Sequence, residues 1–397
     1  MGYPLSVQEL ILLSQMPGKL RRRRASGAGF VAETQPTTAL PLLEMACLEC
    51  GLPAALHLSA EVEAAGYFEM GQLAQWRCIQ AVMVGHLAEA QDAIAVATRF
   101  SEHKESRVQF FAPGMWAHLH ASHPNLAWQV LAELASSTDL RVAESVQAFG
   151  VRPLAHKLGA TVVAQLRPWV LDENPMVRRA AIEATRPRGI WVKRMVWAVE
   201  SPALLLPLLE PMRDENFRLA ANSTGNCLND IAKDNPELVL EVLTRWKQEG
   251  KGEQTQHIVQ KGLRGLLKAG DTRALSLLGF GGLELEVKVV AEQEVVRPNS
   301  AVVYHLHCTN LGASAKGHLA VEICTPGKVE GRPRRRRRNL GEVDLPQSGT
   351  CVVRVRERVF DTKAAPLIDG QGAILFFLDG EEIAQVEFCL KRAESLG

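Results

Sequence analysis

Asp172-Glu-Asn-Pro-Met-Val177 and Asp214-Glu-Asn-Phe-Arg-Leu219 decide the fold, together with the earlier Thr138-Asp-Leu-Arg-Val142. Each is an acidic turn whose side chains can accept hydrogen bonds from the unpaired amides of a helix it opens. Each follows a leucine-rich stretch with helical spacing: Leu126–Leu134, Val162–Val170 and Leu204–Leu209. Helix pairs recurring at spacings of roughly 35–42 residues are the mark of HEAT-like repeats. One pair cannot cover its own apolar face, so neighbours must stack, and the expected product is a curved solenoid with the second helices on its concave side.

The pattern changes on both sides of this block. After Gly279-Phe-Gly-Gly282 the hydrophobic period drops from 3.6 to 2. Leu283–Val289, Val302–His307, Leu319–Ile323, Cys351–Arg356, Ala373–Leu378 and Ile383–Phe388 alternate, with turn residues such as Asp379-Gly380 between them. Six or seven short strands in this space predict a small β-sandwich. On the N-terminal side, residues 37–132 are Ala- and Leu-rich with helical spacing, and Gly85–Arg99 has the flavour of a tetratricopeptide hairpin. Residues 1–36 hold a short helix opened by Ser6-Val-Gln-Glu9, then a basic segment around Arg21–Arg24. The expected class is therefore multi-domain α plus all-β. Its divisions are 1–36, a helical region at 37–124, a HEAT-like region at 125–282 and a sandwich at 283–392.

Composition narrows the functions. Lys+Arg 45 against Asp+Glu 44 leaves the chain of 397 residues near neutrality, so only local patches can argue for a polyanion partner. Eight cysteines without paired spacing, apart from Cys47-Leu-Glu-Cys50, fit a reducing compartment. No apolar run approaches the ~18 residues of a membrane span, and no secretory signal order appears at the start. A cytoplasmic, monomeric protein is expected.

The polar residues of the second helices carry the chemistry. In a helix from Val177, Val177, Ala180, Ala181 and Ala184 share an apolar stripe, and Arg179, Glu183 and Arg186 share the opposite one. A solvated salt-bridge ladder is the ordinary reading of such a stripe. Arg186-Pro-Arg188 then ends the helix, because the residue before proline is driven out of the α region. The turn brings Trp191 toward whatever Glu183 faces. One repeat later Asp230 shares a face with Asn226 and Lys233. Arg152, Arg188, Lys233, Arg264 and other cations recur through the repeats, as phosphate contacts would need and as a solvated exterior also would.

These segments resemble the AlkC-type DNA glycosylases of the AlkC/AlkD superfamily over about 138–280. The resemblance rests on Gly150-Val-Arg-Pro153, Glu183-Ala-Thr-Arg-Pro-Arg-Gly-Ile-Trp191, Leu228-Asn-Asp-Ile-Ala-Lys-Asp-Asn-Pro-Glu237, and Gly265–Asp271 with Ala274–Phe280. It implies removal of cationic alkylated bases, such as 3-methyladenine and 3-methylcytosine, from double-stranded DNA without base flipping. It gives catalytic roles to Glu183, Asp230 and Trp191, and DNA contacts to Arg152, Arg179, Arg186, Arg188, Lys233, Arg264, Arg335 and Arg336. It implies that the β-sandwich is immunoglobulin-like, and it implies no cofactor and no metal. The chain departs from the family pattern at three places. Ala148 stands where an acid is expected, Ala221-Asn222 where an Arg pair is expected, and Lys261-Gly-Leu-Arg264 where the family has His-Ala-Leu-Arg. A non-catalytic DNA-binding or scaffold protein is the rival expectation, and a helical adaptor a third.

Other clusters are weaker. Cys47 and Cys50 read as a buried structural pair, and His118, His120 and His123 as a polar helix end. Arg332-Pro-Arg-Arg-Arg-Arg-Arg338 is expected in a strand-to-strand loop, solvated or touching phosphate.

Overall fold

The computed structural model describes residues 40–53, 57–189, 193–327, 333–362 and 366–392. The expectations for Ser6–Glu9, Arg21–Arg24, Trp191 and Arg332 lie outside them. The chain forms two compact units. One runs to Ile231 and takes in Gly250–Ile258; the other joins Ala232–Glu249 to the residues from Val259 onward.

The first unit is helical. Its N-terminal part contains α1 (Leu40–Glu49), α2 (Leu58–Ala64), α3 (Gln72–Leu87), α4 (Ala93–Ser101) and α5 (Ala112–Leu119). Three repeats follow. The first pairs α6 (Pro124–Ala135) with α7 (Leu140–Ser145), a π-helical turn (Val146–Val151) and α8 (Arg152–Leu158). The second pairs α9 (Val162–Leu166) with α10 (Pro175–Thr185), and the third ends in α11 (Arg218–Ile231). The leading helices of the later repeats are shorter than their leucines suggest. Pro168 closes α9 and is followed by a 3-10 turn at Trp169–Leu171. Pro202, Pro207 and Pro211 break the third into 3-10 turns around Leu206–Leu209. Packing still joins the repeats, since Trp128 and Trp169 meet edge to face at 5.9 Å.

Acidic turns start the second helices by direct capping. Asp139 accepts from Arg141 N at 2.9 Å and Asn174 from Met176 N at 2.9 Å. Glu215 accepts from the amides of Asn216 and Phe217 ahead of α11. The turns are also bracketed to one another. Arg178 of α10 makes two 2.7 Å bonds to the buried Glu215 carboxylate and two more to the carbonyls of Asp172 and Glu173. An acidic turn that recurs thus caps its own helix and holds the preceding repeat.

Among the described residues the second unit carries α12 (Pro236–Glu249), α13 (Arg264–Ala269), α14 (Thr272–Leu277) and eight strands. β1 (Leu285–Ala291), β3 (Ala301–Asn310) and β6 (Thr350–Arg358) form one sheet in the order β1-β3-β6. The other, in the order β2-β8-β7-β4-β5, contains β2 (Val295–Val296), β4 (Ala315–Thr325), β5 (Arg334–Leu345), β7 (Gly370–Leu378) and β8 (Glu381–Leu390). All pairs are antiparallel except β2 with β8. One core lies between the sheets, built on Tyr304, Leu306, Val321, Ile323, Phe376 and Phe388. The β7–β8 hairpin turns at Asp379 (φ 52°) and Gly380 (φ 87°), the positive pair a two-residue I′ turn requires.

Two expectations change here. The period switch near 283 does mark the first strand, but the compact unit reaches back across it. Helices from 232 onward pack with the sandwich: a Cβ on Gly380 would lie 2.5 Å from Gly270 O. The arginine run is strand, not loop. Arg334–Arg338 open β5, an edge strand paired to β4 from Thr325↔Arg334 to Val321↔Arg338. Five like residues show no alternation, so the sequence could not reveal the strand. Acids from neighbouring strands remove the repulsion. Glu322 pairs with Arg335 at 3.2 Å, and the buried Glu357 carboxylate takes both Arg336 and Arg338. Arg337 lies flat over Phe377, 3.9 Å from the ring centre.

Candidate active site

Three second helices bring charged side chains together in the first unit. On α10, the apolar stripe Val177, Ala180, Ala181 and Ala184 is buried, which turns Arg179 and Glu183 away from the core. Arg186 leaves the helix with ψ 133°, as the following proline demands. Its guanidinium reaches Glu183 Oε1 through Nη1 at 2.5 Å. Through Nε and Nη2 it donates to Asp230 Oδ2 of α11, at 3.0 and 2.8 Å. The two carboxylates therefore share a single cation. Asp230 is 3 % exposed and Arg186 6 %. Ser223, two helical turns before Asp230, hydrogen-bonds Glu183. From the preceding repeat, Glu144 at the end of α7 pairs with Arg179 Nη1 at 2.5 Å, and Gln147 donates to its other oxygen.

The electrostatics follow from this arrangement. Burial pushes the Glu183 carboxyl up, but Arg186 and Arg179 beside it, with hydrogen bonds from Ser223 and Arg186, outweigh burial and hold it below the usual range. Glu183 is therefore ionised at neutral pH. Burial would lower Arg186, yet Glu183 and Asp230 raise it, so it stays a cation. Cys227, beside them on α11, is driven up chiefly by burial and remains a thiol.

The expected site residues separate into groups. Glu183, Asp230, Arg179 and Arg186 meet. Arg186 is an internal bridge between acids, not the exposed DNA contact that the resemblance implies. Arg152 needs the same correction. It is 3 % exposed, and its guanidinium donates to Ala184 O at 3.2 Å, Arg186 O at 3.0 Å and Lys193 O at 2.6 Å. The first two bonds satisfy carbonyls at the C-terminal end of α10, the negative pole of that helix. Burial and then Arg186 lower Arg152 to about 10. Arg188 is half-buried on the turn after α10. Lys233, Arg264, Arg335 and Arg336 are exposed and belong to the second unit. Ser223, Cys227 and Gln147 were not foreseen, because neutral residues on a helix carry no signal until a neighbouring helix places charge against them.

Position 148 also reads differently in three dimensions. Counting six residues from Val142 to Ala148, as from Val177 to Glu183, predicts equivalent directions. The π-helical turn at Val146–Val151 rotates the direction of Ala148 from that count, because a wider turn advances fewer degrees per residue. Gly150 lets the turn pack: a Cβ there would lie 2.6 Å from Leu131 Cδ2.

The remaining clusters are structural. Cys47 and Cys50 are buried, and burial pushes Cys47 up to about 12. His120 stacks edge-on against Trp128. Among the described residues no group of His, Cys, Asp and Glu could hold a metal ion, and no helix is long and apolar enough to cross a membrane.

A repeat scaffold bearing acids bridged by arginines, joined to a β-sandwich, is what fold and site define together. The same architecture is found in a structure titled Pseudomonas fluorescens alkylpurine DNA glycosylase AlkC bound to DNA containing an abasic site analog. The two superpose with a TM-score of 0.69 over 89 % of this chain and 98 % of that one, at 21 % identity. The chain thus has the AlkC fold. AlkD2 from Streptococcus mutans aligns with 58 % of the chain at 18 % identity, but its TM-score of 0.38 carries no weight. In sequence, the uncharacterized protein YhaZ of Bacillus subtilis is 36 % identical over 136 residues. That match spans 34 % of this chain and 38 % of the relative. No protein-family model matches the chain.

Proposed function

We propose that this protein is a DNA glycosylase that removes cationic N-alkylated bases, of the 3-methyladenine and 3-methylcytosine type, from duplex DNA without flipping them out of the stack. The observation that carries the proposal is the pairing of Glu183 and Asp230 on one buried guanidinium within an AlkC fold. An alkylated base already bears positive charge and is a good leaving group. When the glycosidic bond breaks, its electron pair neutralises the base and positive charge appears at the sugar C1′. Ionised carboxylates held in place by the protein stabilise that charge without reorganising. Water then adds to C1′ and releases one proton, which Glu183 can accept and pass to solvent. The products are a neutral base, an abasic site and a proton, so the reaction calls for no metal and no organic cofactor. Trp191 keeps the part the resemblance gives it, packing against the exposed sugar or base. The protein would act as a cytoplasmic monomer.

Release of methylated base from alkylated duplex DNA by the purified protein is the test. Glu183→Gln and Asp230→Asn should each lower excision by about 10²–10³, the size of one well-placed electrostatic group. A wild type that leaves no heat-labile abasic sites refutes the proposal.

The second reading is a non-catalytic DNA-binding protein. It is favoured by Ala148 and by the pairing of Glu144, Glu183 and Asp230 with arginines. It holds if the wild type is inert and Glu183→Gln binds undamaged DNA with unchanged affinity.

A further inference from the structure

Glu144 and Arg179 sit beside the acids but have no part in the chemistry above. Acid and arginine alternate across the three helices: Glu144, Arg179, Glu183, Arg186, Asp230. Arg179 lies in this series between two carboxylates. It is near enough to Glu183 to lower that carboxyl, yet its ion pair, at 2.5 Å, is with Glu144. Gln147 takes the second Glu144 oxygen and so fixes the carboxylate that holds Arg179. Both partners are only partly exposed, Arg179 by 14 % and Glu144 by 21 %. That setting is dry enough for the pairing to matter more than a surface bridge does. Glu183 itself is bonded at Oε1 by Arg186 and is also partly open.

We infer that Glu144 and Arg179 form a charge-setting pair, in which Glu144 holds Arg179 off Glu183 and so fixes the negative charge that the site presents to a bound cation. The inference rests on the function proposed above. Without the Glu144 charge, the carboxylate that still acts on the Arg179 guanidinium among the described residues is that of Glu183. Two arginines would then neutralise Glu183. Glu144 is a positioning residue here, acting through Arg179. It also supplies from the α7 repeat the negative charge that Ala148 cannot.

The test uses the full chain and two DNA duplexes that need no turnover. One carries a pyrrolidine abasic analogue, cationic at neutral pH; the other carries the neutral tetrahydrofuran analogue. The ratio of their affinities measures the charge presented by the site and cancels general DNA binding. In the wild type the cationic duplex should bind more tightly, and Glu183→Gln should remove most of that preference. Glu144→Gln should lower the preference by about tenfold or more, and lower the excision rate with it, while the melting temperature stays close to wild type. Arg179→Gln in the Glu144→Gln background should restore the preference. A Glu144→Gln protein with wild-type preference overturns the inference, as does a double variant no better than the single one. A wild type that prefers neither duplex and excises nothing removes the proposed function, and this inference with it. An active wild type with an indifferent Glu144→Gln removes the inference alone.

Discussion

Replacing Arg186 by Gln tests whether the centre of the site is held by a single cation. In the folded protein this guanidinium is the partner of two carboxylates, one of them 3 % exposed. Removing one member of a buried ion pair costs about 3–5 kcal/mol, because the charge left behind has lost water without compensation. For a folding unit of the 150–250-residue class each kcal/mol moves the melting temperature by about 2–4 °C, so the fall should be about 6–20 °C. The triple variant Arg186→Gln, Glu183→Gln, Asp230→Asn deletes the charges together and should lie well above the single variant. Acidity supplies a further arm. Glu183 is held below its ordinary range, so in the wild type its contribution is present above about pH 4.3, the unfolded value, and is lost as pH falls through the lower folded value. In Arg186→Gln the Glu183 carboxyl loses the cation that lowers it most, so burial raises it. The cost of that charge is felt at neutral pH and relieved as Glu183 protonates, so the gap between variant and wild type should narrow toward pH 4. Thermal unfolding between pH 4 and 8 reads all three proteins. A single variant within about 2 °C of wild type at pH 7, or a triple variant just as unstable, would refute the reasoning.

Other consequences are sharp enough to measure. Gly270→Ala places a Cβ 2.2 Å from Arg337 Nη2 at a φ of +80°, and should destabilise the second unit by about 1–3 kcal/mol in denaturant titrations. A wild-type midpoint would mean that Arg337 is free to move. Cys47, pushed up to about 12, and Cys308, to about 11, should resist iodoacetamide at pH 8 in the native protein, while the partly exposed Cys78, Cys351 and Cys389 react. Mass spectrometry of the alkylated protein decides between them. Arg335→Ser should lower the slope of log affinity against log salt on undamaged DNA by about 0.9 if this exposed arginine contacts a phosphate. An unchanged slope would limit it to its pair with Glu322. Arg336 and Arg338 are unsuitable for that experiment, since their loss strands the buried Glu357 carboxylate.

What the sequence determined by itself was everything carried by local periodicity and turn chemistry. The acidic turns specified where α10 and α11 begin, since Asn174 and Glu215 cap through atoms a few residues away. Period-2 alternation specified β1, β3, β4, β6, β7 and β8, because one side of each strand must meet the same core. The Glu183 and Asp230 segments could be singled out by their resemblance to a known repair family. Tertiary structure alone decided which charges are inside. Helical spacing sets Arg186 on the polar stripe of α10, but only the arrival of Asp230 from a helix 44 residues away turns it into a buried bridge. Arg152 looked like a phosphate contact until the end of α10 and Lys193 placed three carbonyls against it. The Arg334–Arg338 run had no pattern to read, and became strand because Glu322 and Glu357 lie on neighbouring strands. In each case the deciding energy is the Coulomb attraction and desolvation of groups distant in sequence, which no local window contains.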